Sequence, residues 1–225
     1  MMHSNSKELN TNSQENEMKK FELVAELSKE FFGRKLFRIR ALISFSDISK
    51  GDLGGWVEKE ECVDQSGNAW VYGDAQVYGN AWVYGDALVS GNALVYGNAR
   101  VCGNAWVSGD AWVSGNARVC GNAWVSGNAQ VYGNARVSGN AQVSGDAQVY
   151  DNAHHITVSP IGSEGGFLTA FRQKDNSIVV RRGCFSGSIE EFEKAINATH
   201  GDSKYAEQYK IVIALIKSRL ESVEQ

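Results

Sequence analysis

The sequence predicts a mainly β protein built on a parallel solenoid of triangular section, with 18 residues per coil and about five coils. Three observations predict it. Glycine recurs at every sixth position from Gly67 to Gly145, in fourteen copies without an insertion. A short fixed period of this kind marks stacked-repeat architectures. Each glycine precedes Asn or Asp, then Ala, a variable residue, Val, and Tyr, Ser or Cys. The Ala-X-Val-Y part alternates as a strand does, so Ala and Val share one face while the variable residues share the other. Gly-Asn and Gly-Asp then turn the corner, because both residues tolerate positive φ. Three such sides close a coil, and coils stack as parallel strands about 4.8 Å apart. Twenty-four glycines against one proline, at a period of six, exclude collagen and disordered Gly-rich chains.

The elements follow in order. Residues 1–19 are polar and aperiodic and read as a flexible tail. Residues 20–66 read as an N-terminal cap. In it, KFELVAELSKEFF predicts a short amphipathic helix, and LFRIRALISF predicts a strand lying across the first coil as a lid. Residues 67–152 are the solenoid. Residues 153–225 read as a small α+β domain, with GFLTAFRQ and SIVVRRGCF forming a hairpin about KDN. Ser188 and Glu191 make a capping box, so a helix starts near Ile189 and stops by Gly201. KYAEQYKIVIALIKSRLE predicts a second helix with one apolar stripe. Both flanks are expected to cover the open strand edges that so short a stack leaves.

The repeated phrase resembles the hexapeptide repeat of left-handed parallel β-helices, over 67–152. The resemblance implies the left hand, which spacing alone leaves open against a right-handed solenoid. LFRIRALISFSDISKGDLGGWVEKEE followed by GNAWVYGDA is similar to the opening of phage- and prophage-encoded hexapeptide-repeat proteins. The segment 153–220 is similar to the small C-terminal domain that often ends them. That resemblance implies a virus-encoded origin and action in the host bacterial cytoplasm.

Taking every eighteenth residue sorts the outward side chains into three faces. Trp70, Leu88, Trp106 and Trp124 form an apolar strip on one, which marks a partner or subunit interface. Trp82, Arg100, Arg118 and Arg136 form a column on another. Like charges one rung apart repel, so the arginines stack flat, meet acidic groups or await an anion, with Trp82 stacking on a bound nucleotide-like ligand, or else form a solvated strip that discourages side-to-side association. Cys102 and Cys120 fall one rung apart beside them and are expected to be free thiols in a reducing compartment.

Charge narrows the function further. The net charge is −4, and the solenoid holds only 3 Lys+Arg, so a duplex-binding surface is disfavoured. There is no 18-residue apolar run to cross a membrane. Transferases that share the hexapeptide helix resemble one another in a general-base His at a cleft between subunits, often beside an extruded loop. These coils contain neither. His154 and His155 lie at the junction after the coils, and a base must reach the proton it takes. Cys184 and His200 read as a packed cysteine and a helix-end cation rather than a thiol dyad. No His/Cys pair has metal-ligand spacing, and Asp74, Asp110 and Asp146 are too dilute for a calcium ladder. The expectation is therefore a non-enzymatic binding protein with no cofactor and no metal. Its partner is a host defence or regulatory protein or an anionic, nucleotide-like ligand, and it assembles as a dimer or trimer. A hexapeptide-type acyltransferase and a virion assembly module are the alternatives.

Overall fold

A computed structural model describes residues 19–220. The expected tail lies, up to residue 18, outside the described residues. The chain enters through three strands, β1 (Phe21–Phe31), β2 (Arg34–Ala41) and β3 (Leu53–Val57). The first of these corrects the helix expected there. β1 pairs antiparallel with β2 from Phe21↔Ala41 to Phe31↔Arg34, with a register irregularity between Val24 and Ser28. Buried Phe21 and Val24 lie before that irregularity and fall three apart, the spacing of a helix face. Phe32 and Gly33, at φ 47° and 71°, make the two-residue hairpin turn that suits the strand twist.

Fourteen two-residue strands, β4 to β17, follow at six-residue intervals from Trp70–Val71 to Gln148–Val149. They sort into parallel walls of five, five and four. Trp106 pairs with Trp124 and Arg118 with Arg136, which is the 18-residue coil. Every inward Val and all but a trace of every inward Ala of the coils is out of solvent. The corner glycines take φ between 58° and 75°, and the residues after them form side-chain ladders. Asn98 donates to Asn116 at 3.1 Å, and Asn116 to Asn134 at 3.2 Å.

The two ends are closed differently. β2 does not lie across the first coil. It pairs with β3, which pairs in parallel with the Gln76–Val77 strand and so extends one wall to eight strands. Phe21, Ile39 and Ala41 of this extension join the solenoid core. Lys20, 2% exposed, donates from Nζ to the Ala69 carbonyl at 2.9 Å and to those of Ser66 and Gly67 at 3.3 Å. Burial pushes its pKa down to about 8, against the pull of Asp64 and Asp86.

At the far end stand four antiparallel strands, β18 (His155–Ile161), β19 (Gly166–Arg172), β20 (Ile178–Arg182) and β21 (Phe185–Ser188), then α1 (Ile189–His200) and α2 (Lys204–Leu220). The expected hairpin is β19–β20, and the capping box is present, the Ser188 hydroxyl accepting from Glu191 N–H. β18 and β21 were additional. The sheet and helices share their own core around Leu168, Phe192, Ile213 and Ile216. Phe171 instead belongs to the solenoid core, and the Thr169 hydroxyl accepts from the Gln142 N–H at 3.2 Å.

Candidate functional site

The three walls differ only in what their outward positions carry. On the four-stranded wall Trp82, Arg100, Arg118 and Arg136 stand in register on successive rungs, each exposed, with a buried Val beside it. The arginines of the described ion pairs are Arg34, Arg38, Arg40 and Arg182, none of them on this wall. Asp110 and Asp146 accept from Asn92 and Asn128 in the corner ladder between the other two walls. The corner ladders flanking the arginines are built of asparagine at Asn98, Asn116 and Asn134 and at Asn104, Asn122 and Asn140. Asp86 heads the second of these ladders, where it accepts from Asn68 at 2.8 Å. The wall is thus a row of guanidiniums edged by neutral amides, with Asp86 beside its Trp82 end and Asp151 beyond Arg136. Trp82 sits at one end, and its ring lies 4.1 Å from Tyr84, centroid to centroid, with 24° between planes. One face of the indole expected to stack on a ligand is therefore already covered.

Beside the arginines, Cys102 and Cys120 are joined in a disulfide, with Cα atoms 4.6 Å apart. This corrects the expectation of free thiols. In-register parallel rungs bring equivalent outward residues one strand spacing apart, within the Cα range a disulfide spans. The bond closes a loop of 18 residues. Reducing it, or the change Cys102→Ala, is expected to lower unfolding free energy by about 3 kcal/mol through the freer unfolded chain. Urea midpoints with and without dithiothreitol check this, and identical midpoints would count against it.

The aromatic strip is shorter than expected. Trp70 is 1% exposed and is no interface residue, because Phe21 and Phe45 of the N-terminal cap pack edge-on against it. Leu88 is half-buried. Trp106 and Trp124 remain, each 42% exposed, stacked with centroids 5.3 Å apart. Their indole N–H groups donate to Ser90 at 2.9 Å and Ser108 at 3.3 Å.

Both junction histidines have pKa values lowered by burial. His154 is wholly buried, its ring 3.7 Å from that of Tyr150, and burial lowers its pKa more than Asp151 raises it. Burial, then Arg219, pushes His155 down to about 4, so it is neutral at pH 7. Cys184, expected to pack in a core, is exposed in the β20–β21 turn. His200 stacks on Tyr209 at 5.6 Å. Among the described residues no three His, Cys, Asp or Glu are grouped as metal ligands would be. No described helix is long and apolar enough to cross a membrane.

Sequence reasoning missed Arg219. Its guanidinium donates to the Asn152 carbonyl at 2.8 Å, while the Asn152 side-chain oxygen accepts from the Arg136 backbone N–H at 2.9 Å. One residue thus ties the last arginine of the wall to the last turn of α2. No sequence signal announces a meeting across 83 positions (219 less 136).

Fold and surface together define a β-solenoid repeat protein with one basic wall. The chain is similar to the YdcK beta solenoid repeat family, whose profile matches residues 75–91, 99–115, 111–127 and 129–146, all within the coils. No curated protein matches the chain.

Proposed function

We propose that this chain is a non-catalytic binding protein whose arginine wall takes an anionic ligand or an acidic protein surface. One observation carries the reading: Arg100, Arg118 and Arg136 stand on successive rungs, and none of them is in an ion pair among the described residues. Unit charges at rung spacing repel by about 1 kcal/mol per adjacent pair even in water. An anion laid along the wall relieves that repulsion and gains charge-assisted hydrogen bonds. The absence of histidine from the coils, the burial of His154 and the neutral state of His155 favour binding over acyl transfer. The phage-type resemblance of residues 36–61 favours a partner inside a bacterial host, either a defence or regulatory protein or a nucleotide-like ligand.

Charge reversal tests the reading. Arg118→Glu is expected to raise the melting temperature slightly, since it replaces two repulsive contacts by two attractive ones. The same change should weaken binding of a labelled hexaglutamate peptide at least tenfold and flatten its salt dependence. Unchanged anisotropy titrations would sink the proposal. A second surface has its own support: the stacked, exposed pair Trp106 and Trp124, proposed as a self-association face. Trp106→Asp should leave a monomer by sedimentation if that face joins copies into a dimer or trimer.

A further inference from the structure

We propose that the cleft where the arginine wall meets the C-terminal sheet binds a phosphate-class oxyanion, a proposal that rests on the arginine-wall reading and deepens it. The wall ends at this cleft because the chain leaves the coil after Tyr150. Asn152 then supplies the acceptor for the Arg136 N–H that a further rung would have supplied. The cleft encloses about 350 Å³, with Arg136, Ser138, Asn152, His155, Thr157 and Arg219 around it. This is the size of a small-molecule site at the lower end of the usual range.

Its chemistry is lopsided toward donors. Two guanidiniums, the Ser138 hydroxyl and an amide line a space that no carboxylate of the described residues lines. The nearest acid, Asp151, is turned the other way: its Oδ1 accepts the Ala153 N–H at 2.6 Å and lies 3.2 Å from His154 Nδ1. Two further polar atoms of the lining residues, His155 Nδ1 and Thr157 Oγ1, are shut off from solvent behind the cleft and do not face it. A carboxylate offers two oxygens. A tetrahedral phosphate offers three or four, which is what two Arg forks and the Ser138 hydroxyl can occupy. The ligand is therefore a free phosphate or the phosphomonoester end of a larger molecule, whose remainder would extend along Arg118 and Arg100.

Calorimetry on the full chain at low salt tests this with inorganic phosphate, adenosine 5′-monophosphate and acetate as probes. Phosphate and the nucleotide are expected to bind, and acetate at least tenfold more weakly. Equal affinity for the first two identifies the free ion as sufficient, and tighter nucleotide binding shows contacts beyond the phosphate. Arg219→Gln should weaken phosphate at least tenfold. Ser138→Ala, which removes the exposed hydroxyl of the lining, should weaken it severalfold in a protein of unaltered circular dichroism. Acetate binding as well as phosphate, or Arg219→Gln and Ser138→Ala both binding like wild type, overturns the proposal. The two readings fail separately: loss of anion binding in Arg118→Glu with none in Arg219→Gln keeps the wall and removes the cleft. The reverse pattern keeps the cleft and removes the wall.

Discussion

Replacing Trp70 by alanine is expected to destabilise the protein by about 3–5 kcal/mol, the range for emptying a packed aromatic site. The same change at Trp106 or Trp124 should cost no more than about 2 kcal/mol, mostly the loss of a stacked pair. The three residues occupy one column, on rungs of one wall, and the repeat treats them alike. What separates them is the N-terminal cap. Phe21 and Phe45 meet the Trp70 ring at centroid distances of 6.1 and 5.4 Å, both nearly perpendicular to it. Gly54 leaves the room, since a Cβ there would lie 2.7 Å from the indole. Alanine at 70 therefore opens a hole between cap and coil that neither side can fill without moving. Chemical denaturation followed by circular dichroism measures all three variants, and equal losses would contradict the packing described.

Gly91→Ala and Gly139→Ala should differ sharply although their backbones do not. Their φ values are 70° and 67°, so each alanine bears the left-handed penalty of about 1–2 kcal/mol. At Gly91 the new Cβ would also lie 2.8 Å from the carbonyl oxygen and 2.9 Å from the nitrogen of Gly109 on the next coil. Backbone cannot swing aside as a side chain does, and overpacking adds about 1–3 kcal/mol. Gly139 has nothing within 4 Å. A melting temperature clearly lower for Gly91→Ala than for Gly139→Ala is expected. If the two coincide, stacking of corner on corner is not what holds these positions to glycine.

Legibility in the sequence followed the range of the interactions. The solenoid was legible because its rules are local and repeated: alternation fixes the inward Val and Ala, and Gly-Asn fixes the corners. Register then followed by counting, which placed Arg100, Arg118 and Arg136 together correctly. The helices α1 and α2 were legible for the same reason, the first from its capping box. What escaped is what depends on distant partners. β1 scanned as a helix because its buried Phe21 and Val24 lie three apart, and only the long-range pairing with β2 makes the segment a strand. Burial of Trp70 depended on a cap whose docking no periodicity encodes. The Cys102–Cys120 bond was geometrically visible in the count, and a presumed reducing environment argued it away. Arg219 reached the arginine wall only because α2 ends beside Asn152.

The coil length also sets an arithmetic for insertions and deletions. Removing one full coil's worth of chain, 18 residues, shortens the prism and brings the same wall to the terminal sheet, so Asn152 still finds an arginine-bearing neighbour. Loss of a single six-residue unit keeps every valine indoors and every glycine at a vertex, yet swivels the terminal sheet by a third of a revolution. Upstream of Arg136 such a loss leaves that arginine in its place 16 residues before Asn152, but it breaks the 18-residue spacing that stacks the arginines. Slippage in so repetitive a coding sequence would thus be harmless to folding in any multiple of one unit, but harmless to the arginine column only in multiples of three.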